Sequence, residues 1–402
     1  MNTSFCASRA AALDRLHAFA PRAADYARTR NVDHPDHDNV SRLSPSIRCR
    51  LISEAEVCRA VLQRHSFSAG EKFLQEVCWR TYWKGWLEMH PDIWSRWRSD
   101  CAALRDQVHP NLDAALSGNT GIDAFDHWVR ELLDTGYLHN HARMWFASIW
   151  IFTLNLPWQL GADFFYRNLL DADPASNTLG WRWVAGVQTP GKHYLARAEN
   201  IQRFTQGRFN PKGQLNENAP PRPPEPAAAS IPLPKSGPLP PPDGRRRGLL
   251  VLGEDLSPET VLGQTHGLIA AAGGPLCDPN ESPNQQSFRH QAFEDAGRRV
   301  EQFLQIPFTP LAPQTRLADL GTWILKERLE ELVVLAPPVG PWADALNALR
   351  LSCPVRRLRR RWDSELHPHA TAGFFRFKKA CIHPKRLEAL AGDPGNGLDP
   401  VK

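Results

Sequence analysis

Apolar positions follow two different rhythms along this chain, and the change comes at a run of prolines. Before it, apolar residues recur every three to four positions, the spacing of one helix face. Ser53-Glu54-Ala55-Glu56 opens one such segment. Ser53 is its N-cap and Glu56 the capping-box partner, and Leu51, Val57, Val61 and Leu62 supply the apolar face. Further patterns predict helices over about Ala69–Met89, Ala124–Leu133 and His141–Leu154, punctuated by Gly136, Pro157 and Gly161. Asn39–Ser46 reads as a loop leading into a short helix.

Residues 219–242 hold eleven prolines in 24 positions. That density forbids helix and sheet pairing, so the segment reads as an extended, semi-rigid linker. After it come short apolar runs at Gly248–Leu252 and Leu332–Leu335, with a further strand at Pro354–Leu358. Helical segments Gln291–Leu304 and Ala343–Leu349 lie between them. Buried strands alternating with helices predict a parallel sheet. The expected fold class is multidomain α and α/β: an all-helical domain at 1–215, the proline-rich linker at 216–244, and a small Rossmann-like parallel α/β domain at 245–390.

Composition narrows this little. The 402 residues exceed one ordinary core. A net charge of +5 permits a nucleic-acid partner without demanding one. No apolar run approaches the roughly 20 residues that span a bilayer, and the first residues lack a secretory pattern. The expectation is a cytoplasmic monomer with no membrane partner. The eight cysteines are scattered without a Cys-x-x-Cys pair, so neither a disulfide frame nor a metal site is expected. Eleven of the fourteen tryptophans lie between Trp79 and Trp183, which directs attention to that stretch.

Asp171-Ala172-Asp173-Pro174-Ala175-Ser176-Asn177-Thr178-Leu179-Gly180-Trp181-Arg182-Trp183 packs two carboxylates, one amide and two indoles into thirteen residues. A helix-turn-helix with buried tryptophans would account for the indoles alone. An oxidised flavin asks for more: acceptors for its N3–H, donors for its carbonyls, and a group able to face N5 in either redox state, which a side-chain amide is. The stretch resembles the flavin motif of the photolyase/cryptochrome family, Asp-Gly-Asp-x-x-x-Asn-x-x-x-Trp-x-Trp, departing only at Ala172.

The resemblance extends over about residues 10–210, and the following roles are what it implies. FAD is the cofactor, held by Tyr26, the phosphate loop Ser41, Arg42, Leu43 and Ser44, and by Arg80, Arg143, Asp171, Asp173 and Asn177. Val40 stands where the family has threonine. Phe73 to Trp83 is similar to Trp-x-x-Glu-x-x-Trp-Arg-Glu-Phe, with Glu76 and Trp79 facing the substrate; without the resemblance Trp79 reads as core and Glu76–Arg80 as a surface ion pair. Gly136 to Met144 resembles Gly-Trp-x-His-Asn-Arg-x-Arg-Met of the photolyases that split cyclobutane pyrimidine dimers. Asn140 and Met144 match that group, whereas (6-4) photolyases have histidines at both places; Tyr137 and His141 depart. Arg143 pairs with Asp171. Glu76, Trp79, Asn140, Met144 and Trp183 line the catalytic pocket, and Arg30, Trp79, Asn140 and His141 meet DNA.

Trp181 and Trp158 match the first two members of the family's electron-transfer chain. Arg105 stands at the third place, with Trp94, Trp97, Trp128 or Trp150 as substitutes. His139 and His141 read as satisfied helix histidines, so no metal is expected. Trp362-Asp363 through Lys379 is similar to the end of the family's light-harvesting domain, here placed after the flavin domain and shortened, with its antenna pigment unknown. Arg356, Arg357, Arg359, Arg360 and Arg361 form a basic run that reads as a solvated strand edge. The implied function is blue-light-driven repair of pyrimidine dimers in DNA by electron transfer from reduced FAD. The alternatives are a cryptochrome-like photoreceptor, without repair, and a flavoprotein that does no photochemistry or a degenerate DNA-binding module.

Overall fold

The computed structural model describes residues 5, 7–189, 191–233, 241–262, 267–276, 278–312 and 316–392, without the side chains of 316–318. The first part is helical: α1 (Arg9–Phe19), α2 (Tyr26–Thr29), α3 (Ser44–Arg48), α4 (Glu54–Leu62), α5 (Phe67–Glu88), α6 (Asp92–Arg105), α7 (Leu112–Ser117), α8 (Asp123–Thr135), α9 (Asn140–Ser148), α10 (Trp158–Asn168), α11 (Pro174–Ala185) and α12 (Ala198–Phe204). The later part runs β1 (Arg247–Val251), β2 (Leu268–Gly273), α13 (Pro283–Leu304), β3 (Phe308–Pro310), α14 (Arg316–Lys326), β4 (Glu331–Leu335), α15 (Pro341–Ala348), β5 (Val355–Leu358), α16 (Arg361–Leu366), α17 (Phe374–Cys381) and α18 (Pro384–Ala391).

Local chemistry sets several of these ends. The Ser53–Glu56 capping box forms in both directions at the start of α4. Gly136 adopts φ +67° and ends α8 in the left-handed region, where a side chain is disfavoured. Gly161 departs from its expected role as a breaker. It lies within α10, and a Cβ there would come within 2.4 Å of Trp181, so its smallness lets helix and indole meet. The helix expected to run to Leu154 instead widens into a π-turn at Ile149–Thr153.

The five strands are parallel in the order β3-β2-β1-β4-β5. Every residue of β1 and β4 is buried, as expected when helices cover both faces. β2 was not legible in the sequence: Leu268-Ile269-Ala270-Ala271-Ala272-Gly273 lacks the β-branched run that marks a strand.

The proline segment is extended as expected, but it is not a free spacer. Residues 219–233 lie along the helices. The backbone N–H of Ile231 donates to Met89 (2.8 Å), and the Arg222 guanidinium donates to the Ile151 carbonyl (2.6 Å) and Asn155 (2.9 Å). The stretch 234–240 of that linker lies outside the described residues. The helices after the sheet return to the first part: Trp362 donates its indole N–H to Thr81 of α5 (2.9 Å), and Lys378 pairs with Glu71 (3.0 Å). One apolar core runs from Leu16, Phe19 and Leu74 into Leu249, Val333 and Phe377. A second lies among α6 to α12.

The basic run needs correcting. Arg360 is buried and grips Asp255 through two nitrogens (2.6 and 2.7 Å). Arg359 pairs with Glu88 (2.6 Å), Arg356 with Glu331 (2.7 Å) and Arg361 with Glu365 (2.7 Å). Of the run, Arg357 has an exposed contact, to Asn347. Except for Glu365, four residues after Arg361, the carboxylates that meet these arginines are distant in sequence, which a local reading of charge cannot foresee.

Candidate functional site

The site is built around the start of α11. Asp173 is the helix N-cap, its Oδ1 accepting the Ser176 N–H at 2.8 Å. Its Oδ2 meets Arg80 (3.1 Å) and Lys84 (3.5 Å), successive-turn neighbours on α5. Burial raises the carboxyl, but Lys84, Arg80 and Arg48 outweigh it and hold Asp173 well below the usual carboxylate range. Two residues earlier, Asp171 takes Arg143 of α9 through two parallel bonds of 3.0 and 2.9 Å. Burial opposes ionisation there too; Arg143 and the Ser44 hydroxyl prevail and lower it. Between them, Arg48 donates to the Ala172 carbonyl (2.6 Å) and grips Glu254 beyond β1 (2.7 and 2.8 Å). Asn177 donates its amide nitrogen to the Ala162 carbonyl (2.8 Å), leaving its oxygen to accept.

A second arc adjoins this one. Arg30, the residue after α2, pairs with Glu76 of α5 (2.6 Å), so Glu76 does not pair with Arg80. Tyr26 sits beside both, its phenol raised chiefly by burial and then by Glu76. Tyr137, pushed up to about 12 by burial, lies under the Arg42 and Arg143 guanidinium groups. Arg42 adopts φ +53° and buries an Nε without a hydrogen-bond partner. Ser41 accepts the Leu43 N–H at 3.4 Å, and Leu43 is fully buried.

The residues expected to face substrate differ in exposure from Asp171, Asp173 and Asn177. Glu76, Trp79, Asn140, His141, Met144 and Trp183 all reach solvent, with Trp183 36% exposed. Trp79, however, stacks on Phe374 of α17 at 3.6 Å and 10°, so one ring face is unavailable to a base. His141 rests its Nδ1 on the Asn31 carbonyl (2.9 Å) and stacks on Trp145. His139 caps α9 through Nδ1. Burial, then the charges of His37, His141 and Arg143, lower it to about 3.

Trp181 is buried with no partner for its N–H. Trp158 starts α10 and donates to Glu225 (3.0 Å). Of the four substitutes for a third tryptophan, Trp150 has a ring contact with Trp181, 6.2 Å away and edge-on. Arg105, at the third place, pairs with Asp163 (2.8 Å). Lys84, Arg48 and Glu225 were missed in the sequence. Lys84 was findable, one turn after Arg80 on the same helix face; Glu225, among prolines, carried no local signal.

A separate cavity of about 550 Å³ lies between the helices and the sheet, walled by Trp94, Trp97, Tyr166, Glu254, Phe293 and Trp342. It opens beyond the carboxyl ends of β1 and β2, beside the switch in strand order between β1 and β4, where ligands bind in open α/β sheets.

A family model described as the FAD binding domain of DNA photolyase matches residues 73–217. This matched segment contains the α5, α9 and α11 residues of the carboxylate cluster. Over that segment the chain is similar to the FAD-binding domain of the photolyase family. Deoxyribodipyrimidine photo-lyase of Streptomyces griseus is 38% identical over 185 residues, 41% of this chain and 39% of the relative. That of Alkalihalophilus pseudofirmus is 34% identical over 188 residues, 46% of this chain and 39% of the relative. A class III photolyase structure from Agrobacterium tumefaciens covers 50% of this chain and 43% of its own, at 30% identity and a TM-score of 0.43. The chain thus spans about two fifths of the length of the curated relatives it matches. FAD, the cofactor of that family, fits the residues present. The unpartnered Arg42 Nε and the Ser41 and Ser44 hydroxyls suit a diphosphate, and the Asn177 amide oxygen suits a ring N–H.

Asp171→Ala should strand Arg143 and cost roughly 3 kcal/mol, the low end for a broken buried pair because Arg143 is 23% exposed. Denaturant unfolding measures this; unchanged stability contradicts the pairing. For His139 the folded group binds its proton only near pH 3, whereas the unfolded group does so near pH 6.5. Stability is therefore full above about pH 6.5 and falls with pH below it, by up to about 1.4 kcal/mol per pH unit. His139→Asn, which keeps an N-cap, should flatten that slope. An equally steep slope in the variant excludes His139 as its source.

Proposed function

We propose that the helical part binds FAD and that the protein uses it, under blue light, to split pyrimidine dimers in DNA. Asp171, Asp173 and Asn177 would hold the isoalloxazine side, with Arg80 and Arg143 behind the carboxylates. Ser41, Arg42, Leu43, Ser44 and Tyr26 would hold the diphosphate side. Bound there, FAD supplies a light-absorbing centre that gives and takes single electrons. The protein's part is to position and to exclude water. The Asn177 oxygen accepts from a reduced ring N–H, and the ion-paired floor keeps the acidic groups charged.

The observation that carries the reading is the division of the matched residues. Asp171, Asp173 and Asn177, assigned to the flavin ring, are buried and hydrogen-bonded, the other cofactor residues except Leu43 are half-buried at the edge of that frame, and those assigned to DNA reach solvent. The curated relatives are named deoxyribodipyrimidine photo-lyases, which supports a dimer as substrate. A dimer flipped from the duplex would meet Glu76, Asn140, Met144, Trp183 and the free side of Trp79, with Arg30 and His141 at the rim. The cavity beside Trp94 and Trp342 is the place for a second chromophore.

One observation favours the second reading, a photoreceptor without repair: Phe374 covers a face of Trp79. A repair assay decides between them. Protein with its flavin chemically reduced, mixed with a duplex carrying a cyclobutane dimer, should remove the dimer in blue light and leave it in the dark. Binding should weaken as salt rises, because phosphate contacts release counterions. A dimer that survives illumination while the flavin still responds to light overturns repair in favour of the photoreceptor.

A further inference from the structure

The proline segment places one carboxylate against the indole of the buried Trp158. Glu225 accepts the Trp158 indole N–H at 3.0 Å through Oε1. Its Oε2 is held by Arg182 of α11. The same guanidinium lies 5.8 Å from the Trp158 ring centroid, and its Nε donates to Gln188 (3.1 Å). A cavity of about 330 Å³ adjoins them, lined in part by His109, Trp158, Arg222 and Glu225. Prolines on both sides of Glu225 restrict its backbone. No tryptophan stands at the next place of the chain: Arg105 does, paired with Asp163.

An oxidised indole carries a positive charge and becomes acidic at its N–H. A cation beside the ring stabilises the electron-rich neutral indole and disfavours the charged one, so the added charge is best shed as a proton. The group in line to receive it is Glu225.

We infer that Glu225 is the proton acceptor of oxidised Trp158, so that the electron chain of this protein ends at Trp158 as a neutral radical. This rests on the reading that Trp181 and Trp158 reduce a photoexcited flavin. Trp181 gives one electron to the oxidised flavin, and Trp158 gives one to Trp181, restoring it. The Trp158 N–H bond then breaks, its electron pair stays on nitrogen, and the proton forms an O–H bond on Glu225 Oε1. Charge separation becomes durable because return of the electron now requires return of the proton. A small thiol entering the cavity closes the cycle. It gives one electron to Trp158 and its proton to solvent, while Glu225 returns the indole proton.

Glu225→Gln keeps an oxygen acceptor for the indole but cannot take the proton. Flash absorption on the flavin-loaded full chain should show the neutral tryptophan radical in the wild type, its formation slowed in heavy water. In Glu225→Gln the radical cation should persist, recombine, and abolish the accumulation of reduced flavin. A second readout needs no light. With ¹⁵N-labelled indoles, the Trp158 N–H signal, assigned by its loss in Trp158→Phe, should shift on Glu225→Gln. Formation of the neutral radical in Glu225→Gln at wild-type speed overturns the proposal, as does an indole signal that ignores the substitution. Trp181→Phe separates the two levels. If that variant photoreduces like the wild type, the electron path itself is wrong, and the role of Glu225 falls with it.

Discussion

Asp171 and Asp173 are buried at the start of α11, and buried carboxylates persist in ionised form only beside cations that remain with them. Those cations come from separate elements: Arg143 from α9, Arg80 and Lys84 from α5, Arg48 from α3. Neutralising two charges therefore fixes the relative positions of four helices. Arg48 carries the constraint further through Glu254 to the end of β1. Arg50 does the same, meeting Asp363 (2.7 Å) and Asp255 (3.5 Å). Such pairs contribute little net stability, since desolvation offsets most of the attraction. Their effect is on geometry, because misplacing any one partner leaves a charge uncompensated.

That geometry separates a dry interior from a wet face. The buried side holds Asp171, Asp173 and Asn177 in fixed orientation, and the open side carries Glu76, Asn140, Met144 and Trp183. The later part of the chain contributes to both. Phe374 covers Trp79, and the parallel sheet walls the second cavity. The proline strap reaches the far side of the helices and meets Trp158. Parts far apart in sequence thus touch each principal group of the site.

Much of this was legible from residue order. The helix starts were readable because capping is local: Ser53 and Glu56 lie three apart. The Arg143–Asp171 pair followed from the family resemblance and forms as implied. β1, β4 and β5 stood out as apolar or bounded runs, while β2 hid behind three alanines and β3 has only three residues. What stayed illegible depends on contacts between distant segments. The arginines at 356–361 resembled a solvated edge because Asp255, Glu88 and Glu331 lie far away in sequence. Gly161 resembled a breaker because Trp181, twenty residues on, is what requires it. The linker looked like a spacer, since proline content predicts extension and says nothing of what the extended chain lies against.

The central claim is that the Asp171–Asp173 frame holds a photoactive flavin. The most direct test is the absorption spectrum of the purified full chain, taken before and after blue light with a thiol reductant present. The account predicts the visible bands of a protein-bound oxidised flavin, bleaching on illumination. A protein that stays colourless after incubation with FAD, or whose bound flavin does not change in light, contradicts it.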